Sequence, residues 1–198
     1  MKLASTLLVF VVSALLALGL VMLFSATMFH RSDGFWSTQL LYCCIGVVVC
    51  LGAAMSDYQL LKKVSVPALV LALLMLVAVM IPGIGLERNG ARRWLQLPGT
   101  TFQPSEFAKL AVIIALAHYC ERKGRKIGTF KNGLLIPGMV LGLFLGLIFI
   151  EPDWGATALL ATVCGLMLFL AGTKLRFIVP PVIASGAAGI FLLSRNTV

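Results

Sequence analysis

The chain has 198 residues, of which 60% are hydrophobic and 12% charged, with a formal net charge of +9. That leaves too little polar side chain to cover a water-soluble domain, and several apolar runs reach the ~20 residues that cross a bilayer core. The positive charge would raise nucleic acid as a partner, but Lys and Arg gather in short loops between the apolar runs. This is how membrane topology is set, and nucleic-acid binding is excluded on that ground.

In chain order, Lys2 precedes an apolar run too long for the core of a cleaved signal peptide, which reads as a first span over residues 6–28. The loop around Arg31 leads to a second span at 35–55, and the basic loop with Lys62 and Lys63 to a third at 64–81. Pro82-Gly83 stops that helix, and a long loop follows to residue 103. Pro104 opens a fourth span, 104–120, at a position where its missing N–H costs nothing. The most basic loop, from Glu121 to Asn132, precedes a fifth span at 133–150. Glu151-Pro152-Asp153 separates it from a sixth at 154–172, and Lys174 and Arg176 precede a seventh at 177–193. The expected fold is an all-α polytopic membrane protein of about seven transmembrane helices, one transmembrane domain over residues 1–198.

The positive-inside rule orients these spans. One face collects Lys2, Lys62, Lys63, Arg122, Lys123, Arg125, Lys126, Lys131, Lys174 and Arg176; the other collects Arg31, Arg88, Arg92, Arg93 and Arg195. The richer face is expected to be cytoplasmic, with the N-terminus inside. Loop 83–103 and the Glu151–Gly155 break then share the outer face. Cys43, Cys44, Cys50, Cys120 and Cys164 show no metal-site spacing and read as small buried hydrophobes; His30 and His118 fall on opposite sides.

Four features depart from scaffold. Arg88, Arg92 and Arg93 stand on the side that topology disfavours, and all are Arg, whose planar fork suits phosphate oxygens. The alternatives are headgroup anchoring or pairing with Glu87 or Glu151. Trp94 reads either as an interfacial belt residue or as a stacking surface for a sugar. Glu106 and Lys109, three apart on one helix face, form either an ion pair or a cavity wall meeting an anion. Glu151 and Asp153 flank a proline that interrupts the helix. They can cap the next helix, do acid–base work, or bind a divalent cation with a phosphate, and no cofactor is fixed by the sequence.

Asn89-Gly90-Ala91-Arg92-Arg93-Trp94, then Phe102-Gln103-Pro104-Ser105-Glu106 and Lys109, together resemble the SEDS family (shape, elongation, division and sporulation). Glu151-Pro152-Asp153 with Gly155-Ala156-Thr157 is similar to that family's Gln/Glu-Pro-Asp signature, although Trp154 stands where Leu or Phe is usual. The resemblance runs over essentially the whole chain and leans to the division branch, FtsW, over the elongation branch, RodA. It implies a peptidoglycan glycosyltransferase that polymerises lipid II outside the plasma membrane at the division septum. The implied partners are a class B penicillin-binding protein and other division proteins. It implies substrate contacts for Arg92, Arg93, Trp94 and Lys109, and supporting roles for Asn89, Gly90, Gln103, Pro104, Ser105, Glu106, Glu151, Pro152 and Asp153.

The family has about ten spans, and its essential aspartate follows the seventh. The chain therefore reads as an N-terminal part, with no catalytic residue expected within it and no catalysis expected from it alone. The alternatives are a lipid-linked precursor flippase and a non-catalytic division scaffold. A flippase is expected to carry cavity charges towards both faces and an inverted repeat; here the polar residues gather on one side.

Overall fold

The computed structural model describes residues 2–27, 35–81, 83–88, 91–97 and 100–180. These form helices α1 (Lys2–Thr27), α2 (Phe35–Met55), α3 (Gln59–Met80), α4 (Pro104–Lys123), α5 (Ile136–Ile150) and α6 (Trp154–Leu170). Strands β1 (Gly85–Arg88), β2 (Ala91–Leu97) and β3 (Thr100–Phe102) lie between α3 and α4. Helical backbone resumes over residues 175–180, and most of the span expected at 177–193 lies outside the described residues. His30, Asn89 and Gly90 lie outside them too. The chain divides into two compact units, Met1–Asp57 and Tyr58–Val198.

The first unit is α1 and α2. Their apolar stretches Ser5–Ala26 and Thr38–Met55 are 0% buried within the protein, so hydrocarbon is the solvent that suits them. This corrects the expectation of buried cysteines: Cys44 and Cys50 are exposed on α2, and only Cys164 is buried. Gln59–Met80 and Lys131–Ile150 are likewise long and apolar enough to span, while 22% and 28% of them face protein.

The second unit carries the core. On α4, Pro104, Ser105, Ala108, Ala111, Val112 and Leu116 recur at helical spacing and are buried, partly against Ala72 and Leu76 of α3. Alanine at Ala72, Ala108 and Ala111 lets the two backbones approach closely, which drives helix pairing where water is absent. On α6, Ala156, Leu160, Cys164 and Leu168 fall every fourth residue and bury one stripe against Phe144 and Ile148 of α5.

The helices outrun the apolar stretches at one end. The start of α3 is extended by Lys62, which pairs with Glu121 near the end of α4. Arg122 and Lys123 in the last turn of α4 suit the negative end of its dipole. A 3-10 turn, Gly124–Gly128, and a π-type turn, Lys131–Leu135, then lead into α5, clamped by the Tyr119 hydroxyl donating to the carbonyl of Asn132 (2.9 Å).

At the other end the segment read as an irregular loop is an antiparallel sheet of order β1-β2-β3. Its base is tied to α3, where the Gly85 amide donates to the Ile81 carbonyl (3.3 Å). A Cβ on Gly85 would run into the Val79 carbonyl, so only glycine lets β1 leave the helix this closely. Alternation of side chains across β2 then sends neighbouring residues to opposite faces.

Candidate functional site

The two arginines of β2 have different surroundings, and the strand pairing explains why. Leu86 pairs with Trp94 and Glu87 with Arg92, so the register slips between them and Arg93 is the extra residue of a β-bulge. Bulges re-aim a side chain. Arg92, directly across from Glu87, donates from Nε to its carboxylate at 3.2 Å, and both side chains are largely exposed. An exposed pair of this kind contributes little to stability. Arg93 instead turns towards the break between α5 and α6 and donates from a terminal nitrogen to the Pro152 carbonyl at 3.0 Å. Its Nε is buried without a hydrogen-bond partner.

The break itself is held from both sides. The Glu151 amide still closes the last turn of α5 on the Leu147 carbonyl, whereas Pro152 has no N–H to continue it. Asp153 caps α6 by accepting from the Ala156 amide at 3.0 Å. Its other oxygen accepts from Gln103 Nε2 at 3.1 Å. Gln103 is the residue before α4, so two contacts from opposite ends of the β2–β3 segment, Arg93 and Gln103, converge on two consecutive residues of the break, Pro152 and Asp153.

Glu151 is 3% exposed, and neither carboxylate oxygen has a hydrogen-bond partner. Burial and the neighbouring Asp153 carboxylate push its pKa up to about 7, while the Arg93 guanidinium pulls it down. Asp153 is committed twice, and an arginine stands beside Glu151. The pair does not offer the donor set of a divalent cation, and among the described residues no three His, Cys, Asp or Glu gather in a metal-like cluster.

Near the start of α4, Lys109 and Glu106 pair at 2.8 Å; the lysine side chain is 17% exposed and the glutamate 60%. The pair takes the ion-pair geometry that i,i+3 spacing allows. Pro104 and Ser105 are fully packed, with the Ser105 hydroxyl buried and unpartnered. Trp94 is half-buried on β2, next to Arg93 in the strand. The structure thus gathers Arg93, Gln103, Glu151, Pro152 and Asp153. Arg92 is tied to Glu87, and Lys109 to Glu106. The sheet and its bulge were not anticipated from the sequence. The two-residue Asn-Gly and Pro-Gly punctuation between short strands signals the first, whereas nothing in the residue types marks the second.

A family model described as cell cycle protein FTSW_RODA_SPOVE matches residues 5–197. A probable peptidoglycan glycosyltransferase FtsW of Trichlorobacter lovleyi is 42% identical over 177 residues, 86% of this chain and 46% of that protein. Stage V sporulation protein E of Bacillus subtilis is 36% identical over 87% of this chain and 49% of its own length. Among solved structures, the rod shape determining protein RodA of Thermus thermophilus superposes with a TM-score of 0.76 at 27% identity. That match covers 91% of this chain and 57% of RodA. A chain of a peptidoglycan synthase complex superposes with a TM-score of 0.75 at 26% identity, over 95% of this chain and 54% of that one. The chain spans about half the length of the curated relatives it matches. On these grounds it is a polytopic membrane protein of the FtsW/RodA/SpoVE family of cell cycle proteins, its resemblance leaning to the FtsW branch.

Proposed function

We propose that this chain forms the diphosphate-binding side of a peptidoglycan glycosyltransferase that polymerises lipid II during cell division, together with a class B penicillin-binding protein. The chain lies in the plasma membrane with its N-terminus in the cytoplasm, the α5–α6 break facing outward and a further span at 177–193. The observation that carries this reading is the convergence of Arg93 and Gln103 on Pro152 and Asp153. It presents a partly buried guanidinium, with a donor to spare, at the α5–α6 break. Transfer of a sugar from lipid II expels a diphosphate, and a preorganised donor at the developing charge is the largest single means of lowering that barrier. Arg93 serves this role directly. Trp94, the next residue of β2, and Lys109, near the start of α4, add further substrate contacts, Lys109 becoming available when it parts from Glu106. Arg92 contributes to the field around the site from its exposed pair with Glu87.

Polymerisation of lipid II by the protein with its penicillin-binding partner tests the proposal. Arg93→Ala is expected to lower the rate on the order of 100-fold, the usual loss for one such donor. Glycan formed by that variant at the unaltered rate would contradict it.

A further inference from the structure

Resting on that reading, the buried carboxyl beside Arg93 has its own part. We propose that Glu151 is the resident counter-ion of Arg93, a positioning carboxyl that holds the guanidinium at the α5–α6 break and yields it to the substrate diphosphate by taking up a proton from solvent.

The geometry behind this is a mismatch. Glu151 is 3% exposed and both its oxygens lack a hydrogen-bond donor; Arg93 Nε, equally buried, lacks an acceptor. Arg93 is anchored through a terminal nitrogen to the carbonyl of Pro152, the residue after Glu151. A buried carboxylate of the turn and a buried guanidinium nitrogen of β2 are held without the hydrogen bonds that offset their desolvation. A carboxylate there attracts the guanidinium but repels any phosphate that approaches it. Once protonated, the same carboxyl ceases to compete and becomes a donor, so that Glu151 and Arg93 both present hydrogens to a phosphate oxygen.

The other charges nearby do not supply this switch. Asp153, on the same turn, is committed to the Ala156 amide and Gln103. On the sheet, Glu87 is committed to Arg92, and on α4 Glu106 to Lys109. The basic residues of α3, Lys62 and Lys63, lie at its opposite end, and neither α5 nor α6 carries a charged residue within its length. Burial and Asp153 hold the Glu151 pKa up to about 7, so proton uptake takes place near neutral pH. An arriving diphosphate would raise it further.

The test is equilibrium binding of lipid II to the detergent-solubilised protein from pH 6 to pH 9. The diphosphate of lipid II is esterified at both ends and keeps its charge over that range, so the slope belongs to the protein. The unaltered chain is expected to lose affinity above pH 7, approaching tenfold per pH unit. Glu151→Gln, which keeps a donor but cannot ionise, is expected to bind within about threefold of the unaltered chain at pH 6 and to stay flat to pH 9. Calorimetry in two buffers of different ionisation enthalpy is expected to show proton uptake on binding at pH 7.5 for the unaltered chain and none for Glu151→Gln. A Glu151→Gln variant that keeps the full slope, or an unaltered chain that takes up no proton, overturns the proposal. Arg93→Ala separates the two ideas: unaltered affinity in that variant overturns the diphosphate role of Arg93, whereas weakened affinity in Arg93→Ala together with a full pH slope in Glu151→Gln overturns only the role of Glu151.

Discussion

The second unit has two polar ends, and they handle charge in opposite ways. At the basic end, Lys62 pairs with Glu121 in the open, and the turns that follow α4 are held by ordinary bonds such as Tyr119 to Asn132. At the other end, Glu151 is shut away from solvent without a hydrogen bond, and Arg93 keeps a buried donor unused. The basic end is rich in charge, yet its charges are exposed and answer to topology. The break has few, but the fold places them where exposed pairing and water do not satisfy them. A functional site is marked less by how many charges gather than by how poorly the protein itself satisfies them.

Four changes test this contrast, the first by removing the platform on which Arg93 stands. Gly85→Ala puts a methyl into the Val79 carbonyl and is expected to cost about 3 kcal/mol, as backbone clashes do. Thermal unfolding in detergent reads it, and an unchanged transition would mean the sheet is not docked on α3 as described. Glu151→Gln comes next. Because the folded carboxyl holds its proton up to about pH 7 while an unfolded one releases it near pH 4–5, the folded state binds more protons in between. Stability of the unaltered chain therefore falls as pH rises through that window, and the penalty is complete above it. The Gln variant is expected to be more stable by on the order of 2 kcal/mol at pH 8 and no more stable at pH 4. A gain of equal size at both pH values would show that ionisation is not the cause.

Removing the cap, Asp153→Ala, is expected to cost about 1–2 kcal/mol, and Asp153→Asn much less, because the amide oxygen still accepts from Ala156. Equal losses in the two variants would assign the effect to charge instead of capping. The smallest effect belongs to the opposite end: Glu121→Gln at the exposed Lys62 pair is expected to change stability by no more than ~0.5 kcal/mol, with the difference vanishing in high salt. A loss as large as that at Asp153 would erase the contrast between the ends.

Much of this was legible in the sequence. Apolar runs between short basic loops announced a polytopic helical protein, and the Arg-Arg-Trp and Gln-Pro-Ser-Glu stretches announced the family. The Glu151 break was visible because proline cannot continue a helix. Sequence left open whether Asp153 caps α6 or stands free, and whether Arg92 and Arg93 act alike. Both depend on partners some 50 residues away or across a strand, which local periodicity does not encode. The bulge that separates the two arginines is a register slip in the pairing of β1 with β2, which the residue types of β2 do not mark.

That separation is the central claim, and the rate of lipid II polymerisation by the Arg92→Ala and Arg93→Ala proteins with the penicillin-binding partner, measured side by side at pH 6.5, tests it most directly. The loss at Arg93 is predicted to be on the order of 100-fold, and that at the solvent-screened Arg92 within about threefold. Equal losses at the two positions, or the larger one at Arg92, would contradict it.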